Sequence, residues 1–255
     1  MDSKLPFGIT RREFVAGTAV VGAGALAKNA FGIASMDAQA GNTTRRVILD
    51  TDPGVDDAFA LLLAMSSPEL KIEAITPVSG NVPLELTLPN ALRMVEIANR
   101  TDIPVAAGAR VPLARRLVTA EYAHGENGLG GTVFPDPKTK PVGIPAAMLI
   151  REIVRKYPGE VTLITLGPLT NIATALEIDS ELARMVPGLV MMGGSLAGGN
   201  ITPAAEFNIY VDPEAAKIVF QSGIPITMVG LDVTRKTSLT EDHVKTLEAH
   251  QNAVS

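Results

Sequence analysis

Four carboxylates are concentrated where an apolar run of the sequence ends. The stretch RVILDTDPGVDDAFALLL, residues 46–63, carries Asp50, Asp52, Asp56 and Asp57 within eight positions. Asp56 and Asp57 would suit the first turn of a helix, where carboxylates interact favourably with the helix dipole. Asp50 and Asp52 end a predicted buried strand, where an unpaired charge is strongly unfavourable. Because oxygen ligands without cysteine or histidine are typical of Ca²⁺ and Mg²⁺ sites, the pattern predicts a divalent cation here.

Two other carboxylate motifs match this stretch less well. An EF-hand loop starting at Asp50 needs a glycine at its sixth position and a glutamate at its twelfth, where the sequence has Val55 and Leu61. The haloacid-dehalogenase phosphotransferases place Asp-x-Asp after an apolar strand, usually with threonine or valine at the fourth position after the first acid. Here Pro53 and Gly54 follow the pair, so a phosphotransferase is kept only as a distant alternative.

The composition excludes several classes of protein. The chain has 255 residues, 46% of them hydrophobic, which is enough for the core of one large domain. It has no cysteine, so disulfides, thiolate catalysis and thiolate metal sites are excluded. The net charge of −5, the scattered basic residues and the 4% aromatic content argue against nucleic-acid binding. We therefore expect no nucleic-acid partner.

Short apolar runs alternate with helical patterns from residue 46 onward. Continuous apolar strands separated by helices are typical of a parallel sheet covered on both faces, so the predicted fold class is α/β. The segment 109–144, rich in glycine, proline and charge, is predicted to be a long loop, and loops of that length in compact domains are usually functional or mobile. The predicted strands are 46–51, 71–78, 103–108, 160–167, 188–194 and 225–233. The predicted helices are 56–66, 84–99, 145–157, 170–178, 212–222 and 240–250.

Unusual polar residues follow several of the predicted strands directly. The carboxylates of residues 52–57 follow the first strand, and SGN (79–81) follows the second. GPLTN (167–171) and NITPAAEFN (200–208) follow two later strands. In parallel sheets ligands bind outside the carboxyl ends of the strands. We therefore expect these polar residues to converge on one site.

The first 40 residues resemble a targeting segment. Arg11 and Arg12 precede a short apolar run, and AQA at 38–40 offers a small-residue cleavage site. The paired arginines predict a twin-arginine export signal over residues 1–40, a domain over 41–255 and a periplasmic location. The apolar run is too short to span a bilayer, so no stable membrane anchor is expected. The alternative is an ordinary basic N-terminus on a cytoplasmic protein.

Several motifs, in order, resemble segments of one enzyme family. DTDPGVDDAFAL, which begins at Asp50, resembles the signature of the inosine-uridine preferring nucleoside hydrolases. VSGN ending at Asn81, then HGENGLG, LGPLTNIA, MGGS and AEFNIYVDPEAA, follow as further similar segments. The resemblance covers residues 46–235 and implies a Rossmann-like nucleoside hydrolase fold with a mostly parallel sheet. It also implies hydrolysis of the N-glycosidic bond of ribonucleosides, Ca²⁺ as the cofactor, and assembly into homo-dimers or tetramers.

The resemblance implies roles for individual residues. Asp52 matches the general base, which takes a proton from a calcium-bound water. Positive charge develops on the ribose ring during such a reaction, and carboxylates and amide oxygens stabilise it. Calcium ligands are implied at Asp52, Asp57 and the main-chain carbonyl of Leu166, and ribose contacts at Asp56, Asn81, Met192, Asn200, Glu206 and Asn208. Asp50 is expected to orient the site from just before it.

Some of the polar positions also have a purely structural interpretation. Glu206 and Asn208 could cap or bridge a loop, and Asn171 is expected to cap or open the helix after GPLT. His124 lies in a glycine-rich loop, where it could protonate the leaving base. A solvated loop histidine is the simpler interpretation of His124.

The C-terminal part departs from the pattern of the family. Family members usually continue past the strand that TMVGLDVT matches, with a histidine followed by an aspartate that binds calcium. Asp242 and His243 have the reverse order and follow the strand too soon. We therefore expect a C-terminally incomplete domain with weakened metal binding. The alternative function is a non-catalytic family member that binds ribosides weakly or not at all, and the preference for purine or pyrimidine bases stays open.

Overall fold

Five short strands form one parallel sheet in this computed structural model, which describes residues 44–249. The predicted export signal at 1–40 lies outside the described residues. The order across the sheet is β2-β1-β3-β4-β5, and every neighbouring pair is parallel. The strands are β1 (Arg45–Thr51), β2 (Leu70–Pro77), β3 (Val161–Thr165), β4 (Leu189–Met192) and β5 (Ile226–Val229). The predicted α/β class is therefore confirmed.

The six longer helices begin and end within two residues of their predicted bounds. They are α1 (Val55–Met65), α2 (Leu84–Ile97), α4 (Ala146–Lys156), α5 (Thr170–Ile178), α8 (Pro213–Gln221) and α10 (Glu241–Ala249). Four shorter helices were not predicted from the sequence, namely α3 (Glu121–His124), α6 (Leu182–Met185), α7 (Phe207–Val211) and α9 (Leu231–Thr234). Each of them has only four or five residues, too few to show a helical period.

The predicted strand at 103–108 is wrong. This segment joins β2 through an isolated bridge between Ile75 and Val105 and through a bond of 2.9 Å from the Gly108 amide to the Pro77 carbonyl, and Pro77 has no amide hydrogen with which to extend the pairing. Pro104 has no amide hydrogen and cannot donate to a continuous ladder, although its carbonyl accepts a bond of 3.0 Å from the Ile75 amide. The segment therefore lies along the sheet without becoming a full strand.

The last predicted strand, 225–233, is too long at its C-terminal end. The strand ends at Val229, because the Leu231 amide donates to the Gly194 carbonyl, 3.0 Å away, and α9 starts there. A Cβ atom at Gly230 would lie 3.0 Å from the same carbonyl, so this tight approach favours glycine.

The sheet is packed between two layers of helices. Side chains alternate between the two faces of each strand, so Val47 and Leu49 of β1 pack with α1 and α2, whereas Ile48 packs with α4, α5 and α8. Such burial on both faces is what a parallel sheet requires. Among residues 44–249, no helix is long and apolar enough to cross a membrane.

Asp212 fixes the long loop to the helical layer on one side of the sheet. It is fully buried, and its Oδ1 accepts the Ala215 amide at 3.0 Å at the start of α8. Its Oδ2 accepts the Leu113 amide at 2.9 Å and the Thr170 hydroxyl at 2.7 Å. One carboxylate therefore satisfies three donors from three parts of the chain.

We expect Asp212→Ala to lower the free energy of unfolding by roughly 2–4 kcal/mol, because it removes a helix cap and leaves buried donors unpaired. Urea denaturation measures this loss. Glu181→Ala is the control, since it removes an exposed ion pair with Arg184 and should change stability by less than about 1 kcal/mol. Equal stability of the two variants would contradict the anchoring role of Asp212.

Candidate active site

The loops after the parallel strands enclose one cleft of about 280 Å³. Eight of the nine residues for which the resemblance implies a role line this cleft. They are Asp56, Asp57, Asn81, Leu166, Met192, Asn200, Glu206 and Asn208. Asp52 is the exception, because it lies fully buried beneath the loops rather than on the cleft surface. The expected convergence at the carboxyl ends of the strands is therefore observed.

Asp52 has one satisfied and one unsatisfied carboxylate oxygen. Its Oδ2 accepts the Asn81 amide at 2.8 Å, whereas its Oδ1 has no hydrogen-bond partner among the described residues. A Cβ atom at Gly167 would lie 2.5 Å from Oδ1, and one at Gly80 would collide with Oδ2. A side chain at either glycine would therefore occupy the space that this carboxylate fills.

Asp57 is held by the loop that connects β1 to α1. Its Oδ1 accepts the Thr51 hydroxyl at 2.6 Å, and its Oδ2 accepts the Gly54 amide and the Asn81 Nδ2, both at 3.1 Å. The Asn81 Nδ2 also donates to the main-chain carbonyl of Asp52, at 3.1 Å. Asn81 thus holds the two acidic residues together from the loop that follows β2.

Asp56 and His124 form the outer part of the same wall. The Asp56 side chain is 83% exposed, and its Oδ1 lies 3.7 Å from the His124 Nδ1. The His124 Nδ1 also accepts the Val55 amide at 3.3 Å, and only 18% of the histidine side chain is exposed. The structure therefore places His124 against the cleft and not in open solvent.

The opposite wall is formed around α7. Glu206 is the N-cap of this helix, and both of its carboxylate oxygens accept main-chain amides. Its Oε1 accepts the Asn208 amide at 2.9 Å, and its Oε2 accepts the Gly194 amide at 2.9 Å. The Asn208 Nδ2 donates to the Leu166 carbonyl at 2.7 Å and to the Met192 carbonyl at 3.2 Å. The capping interpretation and the cleft position are thus both true of Glu206.

Burial dominates the electrostatics of the acidic residues. It raises the pKa of Asp52 well above its usual range, and the negative charge of Asp57 adds to this effect. Burial, followed by the charge of Asp56, also raises the pKa of Asp57. Burial raises the pKa of Asp50 to about 7. Within residues 44–249, no lysine or arginine comes within ion-pair distance of these three buried carboxylates.

A hard cation would suit this arrangement. The Oδ1 of Asp52 is buried without a partner, and burial together with the charge of Asp56 raises the pKa of the adjacent Asp57. Among the described residues, no group of three or more acidic, histidine or cysteine side chains could hold a metal ion. Protein ligands would therefore be limited to Asp52, Asp57 and a carbonyl such as that of Leu166, with waters or substrate oxygens completing the six to eight positions that Ca²⁺ takes.

The sequence matches a known family model over most of its length. The model of the inosine-uridine preferring nucleoside hydrolases matches residues 47–255. This chain belongs to that family. The match favours the hydrolase over the haloacid-dehalogenase phosphotransferase that the Asp-x-Asp pattern left open.

Relatives within the family have high sequence identity to this chain. The pyrimidine-specific ribonucleoside hydrolase RihA of Photobacterium profundum is 51% identical over 212 residues, which are 83% of this chain and 68% of the relative. A plant nucleoside hydrolase of known structure, PpNRh1, has a TM-score of 0.76 and 41% identity over 80% of this chain and 65% of its own. The purine-preferring ribonucleoside hydrolase from Gardnerella vaginalis has a TM-score of 0.78 and 36% identity, over 80% of this chain and 66% of its own. The chain thus spans about two thirds of the length of these relatives.

Three features of this candidate site were missed from the sequence. Gly80 and Gly167, which shape the space for Asp52, are visible only as glycines that follow strands in VSGN and LGPLTN. Nothing in the apolar strand indicated that the Thr51 hydroxyl would donate a hydrogen bond to Asp57. Of the two roles expected for Asn171, it opens α5 as the second residue of the helix but does not cap it, because Leu169 is the N-cap and the Asn171 side chain reaches Asp50 instead.

In metal-free protein, we expect stability to increase as the pH falls from about 7.5 to 5. The folded pKa of Asp50 is about 7, and the unfolded value is about 3.9, so in this window the folded state binds more protons. Its stability contribution is therefore present at low pH and lost as the pH rises. Carboxylates with a lowered pKa, such as Asp179, titrate below this range.

Thermal unfolding in chelator measures this effect. Because one pKa unit corresponds to about 1.4 kcal/mol, and about 1 kcal/mol shifts Tm by roughly 2–4 °C in a chain of this size, Tm should rise by several degrees. Asp50→Asn should flatten the dependence. Added Ca²⁺ should stabilise most at high pH, where its ligands are ionised. A Tm in chelator that falls on acidification from pH 7.5 to 5 would contradict the raised pKa of Asp50.

Proposed function

We propose that this protein hydrolyses the N-glycosidic bond of ribonucleosides to give ribose and a free base. The observation that carries the proposal is the buried carboxylate of Asp52, whose Oδ1 is left without a partner next to Asp57 beneath the cleft. Membership in the nucleoside hydrolase family supports the same reaction. The chain spans about two thirds of the length of its relatives, and we propose that it carries out the same reaction as the whole enzymes.

Asp52, Asp57 and the Leu166 carbonyl would hold Ca²⁺ in this proposal. When bound, the ion supplies charge that acidifies a water and helps to orient the ribose hydroxyls. Asp52 acts as the general base and takes the proton of the attacking water on Oδ1, the oxygen that is free of hydrogen bonds.

The remaining residues of the cleft would bind and stabilise the ribose. Asp56, Asn81, Met192, Asn200 and Asn208 surround it, as the family resemblance implies. Glu206 is fixed by main-chain amides from Asn208, Gly194 and Ile209, so its negative charge cannot turn away from the cleft. Fixed negative charge near the ring favours the cationic, oxocarbenium-like transition state.

We propose pyrimidine ribonucleosides as the preferred substrates. The relatives that are about half identical to this chain are named pyrimidine-specific, whereas the purine-preferring relative of known structure is 36% identical. Uridine and cytidine are therefore expected to give higher kcat/KM values than inosine.

Ribose release by the full chain tests the proposed function. Uridine, cytidine and inosine are compared in Ca²⁺ and in excess chelator, with folding checked by circular dichroism. Release that requires Ca²⁺ supports the proposal. Folded protein that binds Ca²⁺ but releases no ribose would instead support the alternative of a non-catalytic family member. A preference for inosine would overturn only the pyrimidine assignment.

We also propose export through the twin-arginine route and self-association, as the sequence and the resemblance imply. The paired Arg11 and Arg12 support export. Replacing both with lysine should retain the protein in the cytoplasmic fraction, whereas unchanged fractionation would argue against this signal. Sedimentation velocity of the purified chain distinguishes a monomer from a dimer or tetramer.

A further inference from the structure

The carboxamide of Asn171 connects segments on which the candidate site depends. Asn171 is buried in the first turn of α5 and does not line the cleft. Its Nδ2 donates to the Asp50 Oδ2 at 2.8 Å and to the Thr76 carbonyl at 3.2 Å. Its Oδ1 accepts the Ala109 amide at 2.8 Å. One side chain therefore binds the ends of β1 and β2 and the start of the segment 109–124.

The orientation of this carboxamide is fixed on both sides. A carboxylate and a carbonyl face its Nδ2, and an amide hydrogen faces its Oδ1, so a flipped side chain would lose all three hydrogen bonds. A Cβ atom at Gly108 would lie 2.5 Å from both the Nδ2 and the Oδ1 of Asn171. The carboxamide thus packs directly against the bare Cα of Gly108 and has no room to turn.

The segments joined by Asn171 carry residues of the site. The Asp50 main-chain carbonyl accepts the Leu166 amide at 2.8 Å, and Asp52 follows two residues later on the same side of the chain. The segment 109–124 is bonded to the site again at its far end, because the Ala120 amide donates to the Asn81 carbonyl at 2.8 Å. It then delivers His124 to the cleft.

We propose that Asn171 is a positioning residue of this site. Its side chain holds the end of β1 and the start of the segment 109–124 at a fixed separation, so that Asp52 and the Leu166 carbonyl face the same point. The inference rests on the proposed function. Asn171 acts through Asp50 and Ala109 and touches neither the substrate nor the cation.

The test uses the full chain and two variants at this position. Asn171→Asp keeps the acceptor for Ala109 but places a carboxylate oxygen against Asp50, and Asn171→Ser removes the carboxamide. We expect Asn171→Asp to weaken Ca²⁺ binding by about 10–100-fold, as loss of an outer hydrogen-bond partner does at metal sites. Because displacement of reacting groups by about 1 Å can cost 10²-fold, kcat for ribose release should fall by about that factor.

A charge swap and a control on the same helix separate positioning from general destabilisation. Asp50→Asn combined with Asn171→Asp restores an amide opposite a carboxylate, so Ca²⁺ affinity should recover relative to Asn171→Asp alone. Thr174→Val removes a hydrogen bond to the Thr170 carbonyl within α5 and should change neither Ca²⁺ affinity nor kcat. Hydrogen exchange of the Ala109 amide should be faster in Asn171→Ser than in Thr174→Val.

The possible outcomes distinguish this inference from the proposed function. If wild type binds Ca²⁺ and both folded Asn171 variants match Thr174→Val in affinity and kcat, Asn171 is structural and the proposal is overturned. If Asn171→Asp does not fold, Asn171→Ser decides by the same criterion. A wild-type chain that neither binds Ca²⁺ nor releases ribose overturns the proposed function. Hydrogen exchange of the Ala109 amide then decides alone, and unchanged exchange in Asn171→Ser overturns the proposal that Asn171 holds the segment 109–124 to the end of β1.

Discussion

Asp52→Asn is expected to lower kcat for ribose release by about 10³-fold, within the range that removal of a general base usually causes. The amide has nearly the same shape as the carboxylate, so Asn81 can keep its bond to one oxygen. What the variant loses is the negative charge and the basic Oδ1 that has no partner in the protein. Initial rates of ribose release at saturating uridine and Ca²⁺ measure the effect.

The same substitution should increase the stability of the metal-free protein. Burial of the ionised Asp52 carboxylate is unfavourable, as its raised pKa shows, and a neutral amide removes this cost at neutral pH. A gain in Tm together with a loss of activity is typical of a residue kept for function. Asp136→Asn is the matched control, because the Asp136 side chain is fully exposed and should affect neither quantity. An active Asp52→Asn protein would require another base.

The main elements of this fold could be predicted because each has a clear pattern. The bounds of α5 agree with the prediction at both ends, and β1 was recognised from a continuous apolar run that ends in acids. The failure at 103–108 has a specific cause, since Pro104 interrupts a ladder that the apolar pattern alone suggests. Short helices such as α7 depend on tertiary contacts, here the cap from Glu206.

Most of the residues that line the cleft could be predicted from the sequence, but their supporting contacts could not. Motif resemblance and position after the strands both indicated Asp57, Asn81 and Glu206, and all three line the cleft. The contact between Asn171 and Asp50 joins residues 121 positions apart, which no local pattern can show. The structure also buries Asp52 below the cleft surface, a feature that depends on the loops above it.

Gly167→Ala is expected to reduce activity strongly, although about tenfold less than removal of the base. The added methyl group would lie 2.5 Å from the Asp52 Oδ1 and 2.7 Å from its Cγ, too close for atoms that are not bonded. The backbone at Gly167 does not need a positive φ, so the substitution acts through this contact and not through backbone strain. Asp52 must move, and a displacement of about 1 Å can lower kcat by about 10²-fold.

Ca²⁺ affinity and kcat of Gly167→Ala are compared with those of Gly143→Ala. Gly143 has open space where its Cβ would lie and needs no positive φ, so its variant should behave as wild type. If folded Gly167→Ala keeps both quantities, then the Asp52 carboxylate can shift without harm, and its unpaired Oδ1 is not the atom that does the chemistry. If Ca²⁺ affinity and kcat both fall while the fold is kept, Gly167 is required because it leaves room for the Asp52 carboxylate to bind Ca²⁺ and to act as the base.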